Sequence, residues 1–266
     1  MSGIDAQVVL NLSTLSGALG SLTAPEIADP VVDQYLGIPG LRGFWGMASY
    51  DENGNAMDFS GQNRTLGYNG NPLYDSAGLA TFITLDGTGD YLDRADEAGL
   101  DIIGTEAHIT NPGLFACTWV RFANAAGANE SILTKRSVAA NTAAYGMSRG
   151  AAGLLNAVIG TGAASETVSS VATLNQNQWH FTAMRWTPST DLCVWVDQEK
   201  TCAGASAIAA LNNNAFRFMI GAYDNGAGVG TVLMTGDVGC AALAAQSPTD
   251  AQVMNLYNRS RAAFGI

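Results

Sequence analysis

Short stretches in which apolar residues occupy every second position restrict the fold of this sequence more than any other feature. They occur near residues 79–85, 114–120, 179–183, 192–196 and 216–220. A period of two is typical of antiparallel strands with one buried face. Turn-forming clusters such as DGTGD, NAAGAN, RGAAG and YDNGAGVG separate the stretches. The pattern predicts an all-β sandwich or jelly roll of two antiparallel sheets.

Residues 1–40 lack this alternation. Apolar residues recur there at roughly helical intervals and are followed by Pro25, Pro30 and Pro39, which discourage a long regular element. We expect a short helix and an extended arm that are too small to form their own core. The arm either packs on the domain formed by residues 41–266 or serves docking and oligomerisation.

The end of the chain predicts one short closing helix. Ser247 or Thr249 can cap it, and Val253, Leu256 and Tyr257 have spacings that place them on one helical face.

Charge and hydropathy exclude two classes of partner. The chain has 23 acidic and 12 basic residues and a net charge of -11, so it would repel the phosphates of a nucleic acid. It contains no apolar run of about 18 residues that could span a membrane. The first twenty residues contain no Lys or Arg and do not resemble a secretory signal, which predicts folding in a cytoplasm.

The four cysteines show no zinc-binding spacing. Cys193 and Cys202 flank VWVDQEKT, and a turn at Asp197-Gln198 would place them opposite each other, where a cross-strand disulfide can form. Since no export signal is recognised, the sequence favours buried free thiols over this disulfide.

Eight segments, taken in order, resemble one known family. They are LRGFWGMASYDENGNAMDFSGQNRTL, ATFITLDGTGDYLD, LFACTWVRF, SILTKR, NQNQWHFTAMRW, CVWVDQ, FRFMIGAYDNG and MTGDVGCAALAAQSPTDAQVMNLYNRSR. Over residues 41–262 they are similar to laminin-G-like domains of the concanavalin A-like lectin/glucanase superfamily. The resemblance implies a concanavalin A-like jelly-roll β-sandwich. One departure is Asp197-Gln198 where Asp-Gly is usual, which disfavours a tight turn and predicts a longer or strained loop.

The resemblance also implies a possible calcium site, because some members bind a structural ion among acidic loops at the rim of the sandwich. Calcium takes six to eight oxygen ligands. Asp58 and Asn63, with Asp86 or Asp90 and with Asp237, could supply them. The alternative is that these side chains only stabilise their own turns through backbone hydrogen bonds.

The sequence predicts that the chain is not an enzyme. Glucanases of the superfamily carry alternating acids on one strand, which flank the glycosidic bond. No such run occurs here, and a glycoside hydrolase is the least favoured function. The nearest acids are predicted to be solvated loop charges, and these are Asp93, Asp96, Glu97, Asp191, Asp197 and Glu199. His180 has no suitable catalytic spacing and is predicted to be structural.

Aromatic residues provide the candidates for sugar binding, because exposed rings stack on pyranose rings. The five tryptophans are predicted to fill the core. Tyr68, Tyr145 and Tyr223 lie near loops and are the candidate glycan ligands, with turn packing as the alternative.

Two functions follow as hypotheses. The first is a non-enzymatic bacteriophage virion protein, a capsid decoration, tail or fibre component, that oligomerises, docks on other virion proteins and displays the adhesion domain. It implies a virion location, with an extracellular location as the alternative, and predicts that deleting residues 2–38 abolishes docking while the sandwich still folds. The second is a calcium-dependent lectin that binds host-surface glycans.

Overall fold

The computed structural model describes residues 35–47, 50–51, 53–77, 80–107, 109–137 and 143–266. The predicted arm therefore lies outside the described residues except for residues 35–40. No helix among the described residues is long and apolar enough to cross a bilayer.

The described chain is almost entirely strand and turn. It forms, in order, β1 (Leu41–Gly46), β2 (Gly67–Asn69), β3 (Leu73–Ala77), β4 (Ala80–Asp86), β5 (Tyr91–Arg94), β6 (Pro112–Phe122), β7 (Glu130–Lys135), β8 (Tyr145–Arg149), β9 (Leu154–Gly160), β10 (Ser165–Thr173), β11 (Trp179–Thr187), β12 (Asp191–Val196), β13 (Glu199–Ala205), β14 (Phe218–Ile220), β15 (Tyr223–Asp224), β16 (Gly230–Thr231), β17 (Thr235–Gln246), the helix α1 (Asp250–Ser260) and a 3-10 helix (Arg261–Phe264).

Within these residues the strands form two large antiparallel sheets. The eight-stranded sheet has the order β13-β12-β11-β6-β17-β4-β3, and β1 pairs with β17 beyond the end of β4. The seven-stranded sheet has the order β10-β9-β8-β7-β14-β5-β2, and β15 and β16 form a small separate ribbon. The all-β, two-sheet prediction is confirmed, as is the short C-terminal helix.

The main core lies between the two large sheets. Leu114, Ala116 and Val120 of β6 belong to the same buried cluster as Leu155 and Ala157 of β9. The five tryptophans are all buried, as the sequence predicts.

A second core covers the other face of the eight-stranded sheet. Phe115, Cys117 and Trp119 of β6 point away from the first core and pack with Tyr35 and with the helix residue Tyr257. The sequence predicted half-buried strands, but β6 is buried on both faces. The reason is that LFACTWVRF is apolar in both sets of alternate positions, so that both faces of the strand are apolar. The two ends of the described residues cover the outer face.

The closing helix forms as predicted. Thr249 is its N-cap, and a reciprocal pair of hydrogen bonds with Gln252 completes a capping box. Val253, Leu256 and Tyr257 are its buried face, so the helix attaches to the second core.

The hairpin between β12 and β13 differs from the sequence-based expectations in its turn and in the state of its two cysteines. Its turn is the tight two-residue Asp197-Gln198, with Asp197 at a φ of +54°. Cys193 lies directly opposite Cys202, and the two form a disulfide rather than the free thiols that the sequence favoured. The absence of a recognised export signal was a poor guide, because the register alone brings the two sulfurs together.

Candidate functional site

Residues from the end strands of both sheets line one cleft of about 510 Å³. β2 ends the seven-stranded sheet and β3 ends the eight-stranded sheet. We call this the tyrosine cleft, and its aromatic and apolar lining consists of Tyr50, Tyr68, Pro72, Leu73 and Tyr74. Of these the sequence predicted only Tyr68 as a ligand residue, although Tyr50 and Tyr74 lie in the same kind of Gly- and Asn-rich surroundings.

The tyrosine cleft exposes side chains that are usually buried. Tyr50 is 56%, Tyr68 44% and Leu73 66% exposed. The rings of Tyr50 and Tyr74 stack with their centroids 4.6 Å apart. Gly54, at a φ of +84°, leaves room for the ring of Tyr68, since a Cβ there would lie 2.9 Å from it. Apolar side chains exposed together are typical of an interaction surface.

Asp51 fixes the loop on one side of the cleft. Its carboxylate accepts hydrogen bonds from the backbone N–H groups of Asn53 and Asn55, at 2.8 and 3.0 Å, and from Asn55 Nδ2 at 2.9 Å. These bonds, above all that of the Asn55 side chain, lower the pKa of Asp51. The Tyr74 hydroxyl donates to the carbonyl oxygen of Gly54 at 2.7 Å. Burial, with nearby Asp51, raises the pKa of Tyr74 to about 12, so this hydroxyl stays protonated at neutral pH.

Asp90 fixes the loop on the other side of the cleft. Its Oδ1 accepts from the backbone N–H of Asn71 at 2.8 Å, and its Oδ2 accepts from that of Asp86 at 3.2 Å. The side chain is buried. This predicted calcium ligand therefore ties the loop before β3 to the turn after β4.

The other predicted calcium ligands lie elsewhere. The Asp58 carboxylate accepts from backbone N–H groups of its own loop and of β1. Asp237 pairs with Arg121 at 2.7 Å and accepts from Thr84 Oγ1 at 2.6 Å. Asn63 takes a turn conformation with a φ of +58°. The structure does not bring the four residues together, and calcium binding stays a prediction of the sequence.

Clusters of potential metal ligands are also scarce elsewhere in the described residues. The only cluster of three His, Cys, Asp or Glu side chains close enough to share an ion there comprises Asp191, Cys193 and Cys202. Because its two cysteines are joined as a disulfide, they offer no thiolate to a metal.

A second concavity, of about 460 Å³, lies on the outer face of the seven-stranded sheet. We call it the arginine groove. Arg136 lies over the ring of Tyr223, with the guanidinium carbon 4.6 Å from the ring centroid. The polar side chains of Ser148, Asn156, Thr167 and Ser169, on β8, β9 and β10, line much of the rest, together with the apolar Val158 and Val232. Tyr223, predicted as a ligand residue, thus lies beneath a charged group, and nothing in the sequence singled out Arg136.

Tyr145 is not placed to bind a ligand. Its ring is fully buried in the main core, and its hydroxyl donates to the carbonyl oxygen of Leu100 at 2.9 Å. Tyr145 begins β8 and points between the sheets, so a sugar could not reach its ring.

The acids nearest to a glucanase pattern are mostly held in ion pairs. Asp191 pairs with Arg185 at 2.7 Å and Asp96 with Lys135 at 2.6 Å. Asp93 pairs with Arg217, and Glu97 lies between two arginines. The prediction of solvated charges was wrong for Asp93, whose side chain is buried, whereas Asp96, Glu97 and Asp191 form ion pairs but stay partly exposed to solvent. A carboxylate held by a guanidinium is poorly placed to act as a general acid.

His180 has the structural role that the sequence predicts. Its Nε2 accepts from the backbone N–H of Asn175 at 3.0 Å. Nδ1 therefore carries the proton of the neutral ring and donates to Asp197 Oδ2 at 2.7 Å. Both nitrogens are engaged, so the ring is not available to a substrate.

Several solved structures with a similar fold are binding domains of toxins. The binding domain of Paraclostridial Mosquitocidal Protein 1 superposes with a TM-score of 0.65 at 10% identity, over 86% of this chain and 52% of that domain. The Botulinum neurotoxin serotype G binding domain gives 0.62 at 10% identity, over 82% and 50%. The binding domain of Botulinum Neurotoxin DC, in complex with SialylT, gives 0.58 at 11% identity, over 86% and 52%.

This likeness supports the jelly-roll fold and no more. The chain spans about half the length of the domains that it matches, so the ligand of a toxin domain is not thereby assigned to the shared half. No protein-family model and no curated protein sequence matches the chain.

Proposed function

We propose that this chain is a non-enzymatic module that binds glycans through the tyrosine cleft. The exposure of Tyr50, Tyr68 and Leu73 beside one another carries the proposal. An exposed tyrosine offers a flat apolar face and a polar hydroxyl, which match the C–H face and the hydroxyl groups of a sugar ring. Removing such rings from water on binding supplies affinity with little loss of side-chain freedom.

The polar rim of the cleft suits a saccharide as well. Asp51 and Asp90 hold the two loops in place through backbone N–H groups. Asn71, whose side chain carries an amide, also lines the cleft. A preformed apolar cleft with a few fixed polar groups is the usual form of a small-ligand site. The toxin domains of similar fold are named as binding domains, and the role proposed for this chain is of the same kind.

A glycan array tests the proposal. The wild-type chain should bind a subset of glycans, and the variant Tyr50→Ala/Tyr68→Ala should bind them at least about tenfold more weakly, or about 1.4 kcal/mol. Val171→Ala is the matched control, because Val171 is also an exposed apolar side chain but lies on β10, away from the cleft. If the wild type bound no glycan on a broad array, or if the double variant bound as the wild type does, the proposed role of the cleft would be refuted.

The same array tests the calcium dependence predicted from the sequence. A chelator would remove an ion held by acidic loops, so a loss of binding that calcium restores would support the lectin hypothesis in its calcium-dependent form. Unchanged binding in the presence of the chelator would show that glycan binding does not need calcium, and the cleft would remain the proposed site.

The virion role is a further proposal that rests on the sequence resemblance. A component displayed on a virion could use the cleft to adhere to host-surface glycans, and an extracellular module could do the same. Capsid, portal or tail genes beside the gene for this chain would support the virion; neighbours of another kind would count against it.

A further inference from the structure

Arg136 differs from every other basic residue of the chain. Eight of the 12 basic side chains form ion pairs with carboxylates among the described residues. They are Arg64, Arg94, Arg121, Lys135, Arg149, Arg185, Lys200 and Arg217. Of the other four, Arg259 and Arg261 are exposed and Arg42 is half-buried, whereas Arg136 is only 9% exposed. A buried charge without a counter-ion is costly, so its presence requires a reason.

Within the described residues, a single hydrogen bond holds the side chain of Arg136. Its Nε donates to the carbonyl oxygen of Ser137 at 3.1 Å, and no other hydrogen bond of this side chain occurs in the described part of the chain. The neighbouring acid, Asp224, forms no direct ion pair with Arg136 among the described contacts. Its carboxylate accepts from the backbone N–H groups of Arg217, Gly226 and Gly228, at 2.9, 2.7 and 2.9 Å.

The sheet beneath Arg136 is shaped to hold this side chain flat. A Cβ on Gly146 of β8 would lie 3.1 Å from Arg136 Cδ, so glycine gives the side chain room to cross the strand. Tyr223 supports the guanidinium from another side. Beyond it the groove continues over Ser148, Asn156 and Thr167. The arginine is therefore preorganised at one end of a groove lined with hydroxyl and amide groups.

We infer that the arginine groove binds an acidic saccharide, with its carboxylate on Arg136. A guanidinium presents two parallel N–H donors that match a carboxylate, and burial strengthens such a pair. The hydroxyl and amide groups of the groove suit the hydroxyl groups of the same sugar. The groove is lined by other residues than the tyrosine cleft, so this inference does not rest on the proposed function and either can fail alone.

Glucuronate and glucose are matched probes, because they differ in the carboxylate. In ligand-observed NMR with the full chain, glucuronate should bind at least tenfold more tightly than glucose. Arg136→Gln should remove this preference. Arg136→Lys keeps the charge but cannot form the bidentate contact, so it should retain only part of the preference. Arg259→Gln is the control at an exposed arginine that forms no ion pair with the described residues, and it should behave as wild type. Equal binding of the two sugars by the wild type, or a preference unchanged in Arg136→Gln, overturns the inference.

A second pair of variants keeps Arg136 in place and so avoids a failure to fold. Ser148→Asp puts a carboxylate of the protein on the groove, two residues along β8 from Gly146, and should lower glucuronate affinity at least tenfold. Ser148→Asn has a similar size without the charge and should keep the preference. Glucuronate binding that survives Ser148→Asp rejects Arg136 as the anion receptor. Tyr50→Ala/Tyr68→Ala should bind glucuronate normally, which separates this groove from the cleft.

Discussion

Asp197 occupies the first turn position between β12 and β13 with a φ of +54°, where glycine is the usual residue. Its carboxylate explains the exception. Oδ1 accepts from the backbone N–H of Phe181 at 2.9 Å, and Oδ2 accepts from His180 Nδ1 at 2.7 Å. The side chain thus binds the turn to β11, and Asp tolerates a left-handed backbone better than most residues.

Replacing Asp197 should destabilise the domain more than its position in a turn suggests. Asp197→Ala loses both hydrogen bonds and places a less tolerant residue at positive φ, so we expect a loss of about 2–3 kcal/mol of unfolding free energy. Asp197→Asn keeps an acceptor and tolerates the backbone, and should lose about 1 kcal/mol or less. Guanidinium denaturation at pH 7 measures both. Equal midpoints for the two variants would contradict this account of the turn.

The three candidate tyrosines show what sequence can predict about single side chains. All three lie next to glycine- or asparagine-rich segments, yet Tyr68 is exposed, Tyr223 lies under Arg136, and Tyr145 is in the core. Proximity to a turn does not determine which way a strand residue points, since that depends on where pairing begins. Arg136 was missed because the sequence does not reveal which charges find partners after folding.

The alternating pattern predicted the positions of the strands well, but it did not predict which strands are buried on both faces. On β6, Leu114 and Ala116 face the other sheet, as a period of two implies. Phe115 and Trp119 are equally apolar, and their partners Tyr35 and Tyr257 are distant in sequence. Alternation shows which residues share a face, but long-range contacts decide whether the second face is covered.

The hairpin of β12 and β13 allows a direct test of its disulfide. The denatured, unreduced chain should label two of its four cysteines with a thiol reagent, and reduction should raise the number to four. The two labelled residues should be Cys117 and Cys240, which are buried in the native fold. Mass spectrometry of labelled peptides measures this. Four reactive thiols before reduction would restore the sequence-based expectation of free cysteines.

At the scale of the whole molecule, the two sheets have different outer faces. The second core covers the eight-stranded sheet, where Tyr35 stacks on Phe44 with centroids 4.8 Å apart and Phe264 stacks on Trp119 at 4.5 Å. The arginine groove lies on the outer face of the other sheet, and the tyrosine cleft lies where end strands of both sheets meet. Both candidate sites are therefore away from the face that is covered by residues 35–38 and by the C-terminal helix.

This arrangement changes how the proposed docking role of the arm can be tested. The deletion of residues 2–38 expected from the sequence would also remove Tyr35 and Ile38, which belong to the second core. A loss of docking could then reflect damage to the fold. A deletion that ends before Tyr35 avoids this ambiguity, because it leaves the described contacts intact.

A pair of adjacent substitutions tests whether residues 35–40 belong to the folded body. Tyr35 is fully buried against Phe44, whereas Leu36 is 45% exposed. Tyr35→Ala should lower the unfolding free energy by about 3–4 kcal/mol, as truncation of a buried aromatic residue usually does, and Leu36→Ala by less than about 1 kcal/mol. Thermal and guanidinium unfolding provide the comparison. If both variants unfolded like the wild type, residues 35–40 would be part of a detachable arm, and the domain boundary would return to the position near residue 41 that the sequence predicts.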